Sequence, residues 1–369
     1  MTTMNPALQK TLAFLLLILA GYLLQNKLKA KDELKGVKVL ILSIILPATI
    51  FVALLQVEVS RSMLLLPVLA LALNGGLYFI SKVSLPRLGF EKDTPQWRTM
   101  LLLVPSLAPG LSAFPFILEY LGDGELALAA LADVGNKVFV LVILYMVAMN
   151  WYYQQRGAEA DVPNRRGKLK ELGLGLLAEP VNMVILVAIV MISFGLNLAD
   201  LPIFLGDTVA RLASLMTPIV LLFIGMAVNF QKQEMALILR VLCYRSGVAL
   251  LLSAALIVLG GLSGPLALLA VVFAQCAVSF WPFAHMSAVE ALRKVETSQV
   301  FDLGLGLNVL AFSLPFSTIV ILSVLSFGEW FTQPTVLLPA AALMLVYPAY
   351  YILRPVFQEA KARTENARA

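Results

Sequence analysis

The chain has 369 residues, of which 60% are hydrophobic and only 13% are charged, with a net charge of +5 and a mean hydropathy of +0.90. Soluble domains carry about 45–50% apolar and about 25% charged residues, so this composition excludes an ordinary soluble domain and predicts an all-α integral membrane protein. The positive charges fall in short loops between apolar runs, where they indicate membrane topology and not nucleic-acid binding. One histidine and two distant cysteines do not match a zinc site, and we predict no metal or cofactor.

Apolar runs predict eleven membrane-spanning helices, numbered here as spans 1 to 11. They cover residues 8–26, 37–56, 63–82, 98–120, 125–152, 179–198, 208–229, 234–260, 265–290, 298–326 and 335–354. Each run is close to or above the roughly 20 residues that cross a bilayer. If the N-terminus lies outside, the outside loops contain only Lys10, Arg61 and Arg211, and most other lysines and arginines lie inside. The positive-inside rule therefore predicts that the N-terminus is outside and the C-terminus inside.

An internal repeat divides the chain into two five-helix halves. The predicted units are residues 1–152, a cytoplasmic linker at 153–178, the second half at 179–328, and an extra eleventh helix with a cytoplasmic tail at 329–369. The aligned pairs are Ser112 with Ser279, Pro115 with Pro282, Pro47 with Pro218, Asp133 with Asp302, and Gly21 with Gly195. Because five spans is an odd number, the second half would enter the membrane from the opposite side. That inverted-topology repeat is typical of secondary transporters.

Spans 4 and 9 carry the same Ser-x-x-Pro-Phe motif, "SAFPF" at 112–116 and "SFWPF" at 279–283. Proline removes a backbone donor and clashes with the preceding turn, so both helices are predicted to be broken there. Two interrupted helices at corresponding positions indicate a binding site near the bilayer midplane. The alternative is a pair of structural kinks.

The candidate substrate-binding residues lie in or near these breaks. They are Ser112, Pro115, Gln275, Ser279, Trp281, Pro282 and Asn74. Gln275 and Ser279 are four residues apart and are predicted to hydrogen-bond substrate. Trp281 would form a wall of the site or face lipid, and Asn74 would hydrogen-bond broken backbone unless its neighbouring glycines indicate only close helix packing.

Ionisable residues within spans are costly, so each is a candidate functional residue. The candidate coupling residues are Asp133, Asn136, Lys137, Asn308 and Asp302. Asp133 and Lys137 have the i, i+4 spacing of a helical ion pair, which is either a self-neutralising structural pair or a coupling site. We hypothesise that Lys137 replaces a bound sodium ion or carries a proton. Sodium-stimulated uptake would contradict the first of these.

Two arginines at the start of span 8, Arg240 and Arg245, are predicted to extend towards the membrane interface, as long basic side chains do near helix ends. The alternative is that one of them attracts an anion near the inner mouth.

Three stretches resemble the auxin efflux carrier family of membrane permeases: "GYLLQNKLKAKDELKGVKVLILSIILPATIF" (21–51), "AFPFILEYLGDGELALAAL" (113–131) and "TPIVLLFIGMAVNF" (217–230). The resemblance implies a fold like that of the bile acid sodium symporters, with two inverted five-helix repeats and broken, crossing helices 4 and 9. It implies a scaffold of spans 1, 2, 6 and 7, a moving core of spans 3–5 and 8–10, elevator-type transport and a homodimer. The chain departs from the pattern at Ala108, where many bacterial members have Asn, and at Ala113, where they have Gly.

These patterns predict a secondary transporter of a small organic anion, with a carboxylate as the leading class, in a bacterial cytoplasmic membrane. Proton and sodium coupling both stay open. The alternative function is a non-transporting receptor that binds a small ligand in the same pocket. An enzyme is not expected, since the sequence shows no nucleophile elbow, metal cluster or phosphate loop.

Overall fold

The protein is described here from a computed structural model. The described residues are 6–25, 27, 31–56, 63, 65–156, 174, 178–227, 235–291 and 298–366. Over these ranges the chain is all-helical and contains no strand. Among the described residues, seven helical stretches are long and apolar enough to cross a membrane, and three shorter apolar helices accompany them. The protein is therefore a multi-pass membrane protein by the length and composition of its helices.

Five helical segments form the first half of the described chain. They are α1 (Pro6–Leu24); α2 (Lys31–Leu40, a π-helical turn Ile41–Ile45, then Leu46–Leu55); α3 (Leu66–Ser84, ending in a 3-10 turn Leu85–Leu88); α4a (Pro95–Leu103) and α4b (Phe114–Tyr120); and α5 (Asp123–Val138, a π-helical turn Phe139–Ile143, then Leu144–Arg156). We call residues 104–113, between α4a and α4b, the α4 interruption. It includes a single helical turn, Pro109–Ser112.

Six segments follow in the second half. They are α6 (Pro180–Ser193); α7 (Ile203–Ser214 and Met216–Ala227); α8 (Met235–Gly260); α9a (Gly264–Ala274) and α9b (Phe280–Ala291); α10 (Leu303–Phe327); and α11 (Pro334–Asn366). We call residues 275–279, between α9a and α9b, the α9 interruption. Most of the predicted cytoplasmic linker, residues 157–173 and 175–177, lies outside the described residues.

Helices α1 and α7 pack closely because glycine lies on both sides of the contact. A Cβ atom at Gly21 would collide with the carbonyl group of Leu222, and one at Gly225 would collide with the carbonyl group of Ile18. Small residues let two backbones approach in this way, which is a common packing mode between membrane helices. Other close pairs are α2 with α6, α3 with α5, and α8 with α11.

Large apolar side chains also cover the outside of the bundle. Ile203 is 90% exposed, and Leu259 and Leu343 are exposed to a similar degree. A soluble monomer rarely exposes so much apolar surface, whereas lipid-facing helices do. Many of the buried polar groups lie instead around the two interruptions, among them Ser106, Ser112 and Gln275.

Candidate functional site

The two interruptions touch each other. The backbone N–H of Ala108, in the α4 interruption, donates a hydrogen bond to the carbonyl oxygen of Ala277, in the α9 interruption, at 2.8 Å. These two residues are 169 positions apart in sequence, so the contact joins the two halves of the chain at the two places where the helix ladder is lost.

The motif prolines begin new helices and do not kink continuous ones. Pro115 is the second residue of α4b, Pro282 is the third residue of α9b, and both are buried. The first-turn N–H groups of a helix have no partner within the helix, so proline sacrifices no ladder hydrogen bond there. The predicted breaks in spans 4 and 9 are therefore present in the structure.

Serine hydroxyls satisfy the free amides of the α9 interruption. Three consecutive N–H groups each donate to a different serine: Ala277 to Ser112 Oγ at 2.9 Å, Val278 to Ser313 Oγ at 3.3 Å, and Ser279 to Ser106 Oγ at 3.1 Å. A hydroxyl oxygen accepts such bonds readily, so all three amides are paired although they lie outside a helix. The candidate residue Ser112 thus stabilises the interruption on the opposite half of the chain.

An arginine satisfies the free carbonyls of the α4 interruption. Arg245 of α8 is only 4% exposed. Its Nε donates to the carbonyl oxygen of Val104 at 2.8 Å, and its Nη2 donates to that of Ser106 at 3.0 Å. A cation is favoured at this point because α4a ends here and its last carbonyls carry partial negative charge. The prediction that Arg245 extends to the membrane interface is wrong, because the broken helix provides acceptors inside the protein.

Among the described residues, the guanidinium of Arg245 has no acidic partner. Within the part of the chain that the structure describes, none of the ion pairs includes Arg245. Two carbonyl dipoles compensate a buried positive charge only in part, since burying a charge is costly unless it is paired. The guanidinium of Arg245 is therefore a buried positive charge at the α4 interruption that carbonyl groups bind.

A buried ion-pair cluster lies beside the α4 interruption. The Nζ of Lys137 is 3.4 Å from Asp133 Oδ2 on α5, as the i, i+4 spacing predicted. It also lies 2.5 Å from Oε2 of Glu179, which directly precedes α6, and 3.4 Å from Oδ1 of Asn182 on α6. Glu179 and Asn182 were not among the predicted site residues, because sequence spacing identifies partners only within one helix. The lysine thus joins α5 of the first half to α6 of the second.

Two asparagines connect this cluster to the broken backbone. The Nδ2 of Asn136 donates to the carbonyl oxygen of Leu107 at 3.0 Å and to Asp133 Oδ1 at 2.8 Å. Its Oδ1 accepts from the Nδ2 of Asn74, on α3, at 2.8 Å. Asn74 therefore reaches the broken backbone through Asn136, and both residues lie at the α4 interruption.

The candidates near α9 have different surroundings. Gln275 is 2% exposed, and both ends of its side-chain amide bond to Ser246 of α8. Gln275 Oε1 accepts from Ser246 Oγ at 2.6 Å, and Gln275 Nε2 donates to the backbone carbonyl of Ser246 at 3.2 Å. Ser279 Oγ accepts from the N–H of Trp281 at 3.3 Å, as a residue that caps α9b does. The side chain of Trp281 is 43% exposed, on the surface of the bundle.

Asp302 has the geometry of a helix cap. Its Oδ1 accepts from the N–H of Leu305 at 3.0 Å at the start of α10, and its Oδ2 accepts from Gln96 Nε2 at 3.1 Å. Asn308 lies half-buried further along α10. The pairing of Asp302 with Asp133 in the repeat alignment thus equates a helix-capping residue with one inside a helix.

No protein-family model matches the chain, and a search of curated proteins finds no match. The resemblance to auxin efflux carriers therefore stays a prediction from the sequence.

Proposed function

We propose that the protein is a secondary transporter of a small organic anion that carries a carboxylate group. The observation that carries this proposal is the direct contact between the α4 and α9 interruptions, at Ala108 and Ala277. Interrupted helices in corresponding positions of two halves are typical of substrate sites in secondary transporters. The substrate would bind where they meet.

Arg245 favours an anion as the substrate. Its guanidinium is buried, lies at the α4 interruption and has no acid partner among the described residues. Arginine binds carboxylates through paired N–H donors, and among the described residues two of its nitrogen atoms are engaged with carbonyl groups. A carboxylate of the substrate would give this guanidinium a direct ionic partner.

The packing of the helices supports alternating access. In an inverted repeat, α6 corresponds to α1 and α7 corresponds to α2. The contact between α1 and α7 would then have a counterpart between α6 and α2, and both contacts are present. The contact between α3 and α5 likewise corresponds to that between α8 and α10. We propose that α1, α2, α6 and α7 form a scaffold and that α3–α5 and α8–α10 form the moving core of an elevator-type transporter. The protein would be a homodimer of the auxin efflux carrier type, with its N-terminus outside.

Ligand-induced thermal stabilisation of the purified protein tests the proposal. We would screen carboxylates with and without sodium at two pH values, because a ligand at about 100 times its Kd adds about 2.7 kcal/mol to the folded state. Carboxylates that stabilise the protein would then be loaded into proteoliposomes for exchange assays. Binding without exchange would instead favour a receptor.

Arg245→Gln and Arg240→Gln form a matched pair of variants for this screen. Arg240 is on the same helix but lies 3.5 Å over the ring of Tyr351 and donates to the carbonyl of Leu88, away from the interruptions. We expect carboxylate stabilisation to be lost in the first variant and kept in the second. Stabilisation only by neutral compounds or cations in the wild type would overturn the anion assignment.

A further inference from the structure

A cavity between four helices lies at one end of the bundle. It has a volume of about 460 Å³ and is lined by residues of α3, α5, α8 and α9a. Its lining includes Leu66, the first residue of α3, Gly260, the last residue of α8, and Leu266 near the start of α9a. A volume of several hundred cubic ångströms is typical of a ligand site.

The lining of this cavity is apolar throughout. Every described lining residue is Leu, Ala, Met, Phe or Gly, and none has a polar side chain. Ordered water needs several polar partners, so water does not suit this space. An apolar cavity that nothing fills costs stability, because the side chains around it lose packing contacts. The chemistry of the walls thus favours a hydrocarbon ligand.

The cavity is continuous with the lipid-facing surface of the protein. Leu65, a lining residue that precedes α3, is 60% exposed, and Leu259, next to the lining residue Gly260, is 86% exposed. At the other end, the lining residues Leu73 and Phe273 are each only 4% exposed, and we call these two the cavity floor. The walls therefore lead from the bilayer to a buried floor.

The depth of the cavity suits a lipid chain. Leu66 and Leu73 are seven residues apart on α3, which is about 10 Å at a helical rise of about 1.5 Å per residue. One leaflet contributes roughly 15 Å, half of the ~30 Å hydrocarbon thickness of a bilayer. The cavity thus runs along the helices over much of one leaflet, in the direction in which acyl chains lie.

We propose that this cavity binds one acyl chain of a membrane phospholipid, whose headgroup stays at the membrane surface. The bilayer presents such chains directly at the mouth of the cavity, and mass action then favours binding. Because lipid tails are as apolar as leucine, the gain comes from packing against the walls. The chain would stabilise the arrangement of the four helices close to the polar network, since Leu73 directly precedes Asn74 and the lining residue Ala132 directly precedes Asp133.

Photo-crosslinking tests the proposal. The full-length protein would be reconstituted into phosphatidylcholine vesicles that contain a phosphatidylcholine with a diazirine near the methyl end of one acyl chain. After irradiation, peptide mass spectrometry identifies the labelled residues. We expect labels on the cavity floor, at Leu73 or Phe273. Labels confined to surface residues such as Leu259 and Leu343 would overturn the proposal, because they would show only ordinary contact with the bilayer.

Ala70→Phe and Ala72→Phe form a matched pair of variants on α3. Ala70 lines the cavity and is buried, whereas Ala72 lies on the exposed side of the same helix. We expect labelling of the floor to be lost in the first variant and kept in the second. Labelling that persists in Ala70→Phe, or is lost in both variants, would contradict the proposal. The wild-type labelling pattern decides the question even if Ala70→Phe does not fold.

A fatty acid with the diazirine at the same position is the second probe. None of the described lining residues is basic, so a free carboxylate would find no ionic partner among them. Labelling of the floor by the fatty acid and not by the phospholipid would overturn the assignment. The inference does not rest on the proposed function, because the labels report lipid contact whether or not a carboxylate substrate binds.

Discussion

The α4 and α9 interruptions share one sequence motif but differ in the side chains that satisfy their backbones. At α4 a cation and an amide bind three carbonyl groups: Arg245 binds Val104 and Ser106, and Asn136 binds Leu107. At α9 neutral serine hydroxyls accept from three consecutive N–H groups. A repeated motif thus predicts where two helices break, but not the charge that surrounds each break.

The acids that the repeat alignment equates differ in the same way. Asp133 is buried on α5 beside Lys137 and supports the α4 interruption through Asn136. Asp302 caps the start of α10. We therefore expect substitutions that remove a charge to reduce the stability of the fold more on the α4 side than on the α9 side. Three substitutions test that difference.

Lys137→Met should have the largest effect on the stability of the fold. Without the ammonium group, Asp133 is left as a buried acid and Glu179 as a partly buried acid without their cation, and breaking a buried pair typically costs about 3–5 kcal/mol. The measurement is thermal unfolding in detergent, followed by tryptophan fluorescence. Glu179→Gln added to the Lys137→Met variant should recover part of the loss.

The response of the same variant to sodium is a second test of the role of Lys137. If the lysine occupies the place of a coupling ion, sodium chloride should stabilise Lys137→Met more than potassium chloride does, while the wild type should not respond. Uptake by the wild type that rises with sodium would show that Lys137 does not replace this ion.

Ser112→Ala should have an intermediate effect. It leaves the N–H of Ala277 buried without an acceptor, which costs about 1–3 kcal/mol. Ser287→Ala is the control, because among the described residues the hydroxyl of Ser287 bonds only within its own helix, to the carbonyl of Phe283. Equal loss of stability in the two variants would show that the bridge between the interruptions contributes little.

Asp302→Ala should have the smallest effect, about 1 kcal/mol, the usual contribution of a helix N-cap. Anion binding should be unchanged, since the residue caps α10 and is not part of the network at the α4 interruption. A loss of anion binding as large as that in Arg245→Gln would contradict this expectation. It would show that Asp302 and Asp133 have equivalent roles, as the repeat alignment predicts.

The local part of the candidate site could be predicted from the sequence. The positions of Pro115 and Pro282 identified both breaks, because proline cannot donate within a helix whatever surrounds it. The spacing of Asp133 and Lys137 identified their ion pair, because residues four apart share one helix face.

The partners from other helices could not be predicted. Arg245, Glu179 and Ser106 matter because of which helix faces which, and no spacing along the chain encodes that. Trp281 was a candidate wall of the site but lies half-exposed on the surface, since a helix side chain points inward or outward according to how the whole helix is rotated.

The sequence by itself determined that this is an apolar, multi-pass helical protein with two matched breaks, since hydropathy and proline act locally. Only the tertiary structure decided that the breaks touch, and that one is lined by a buried cation and the other by hydroxyls. The physical reason is that backbone groups freed by a break must find partners in space. Those partners come from distant parts of the chain.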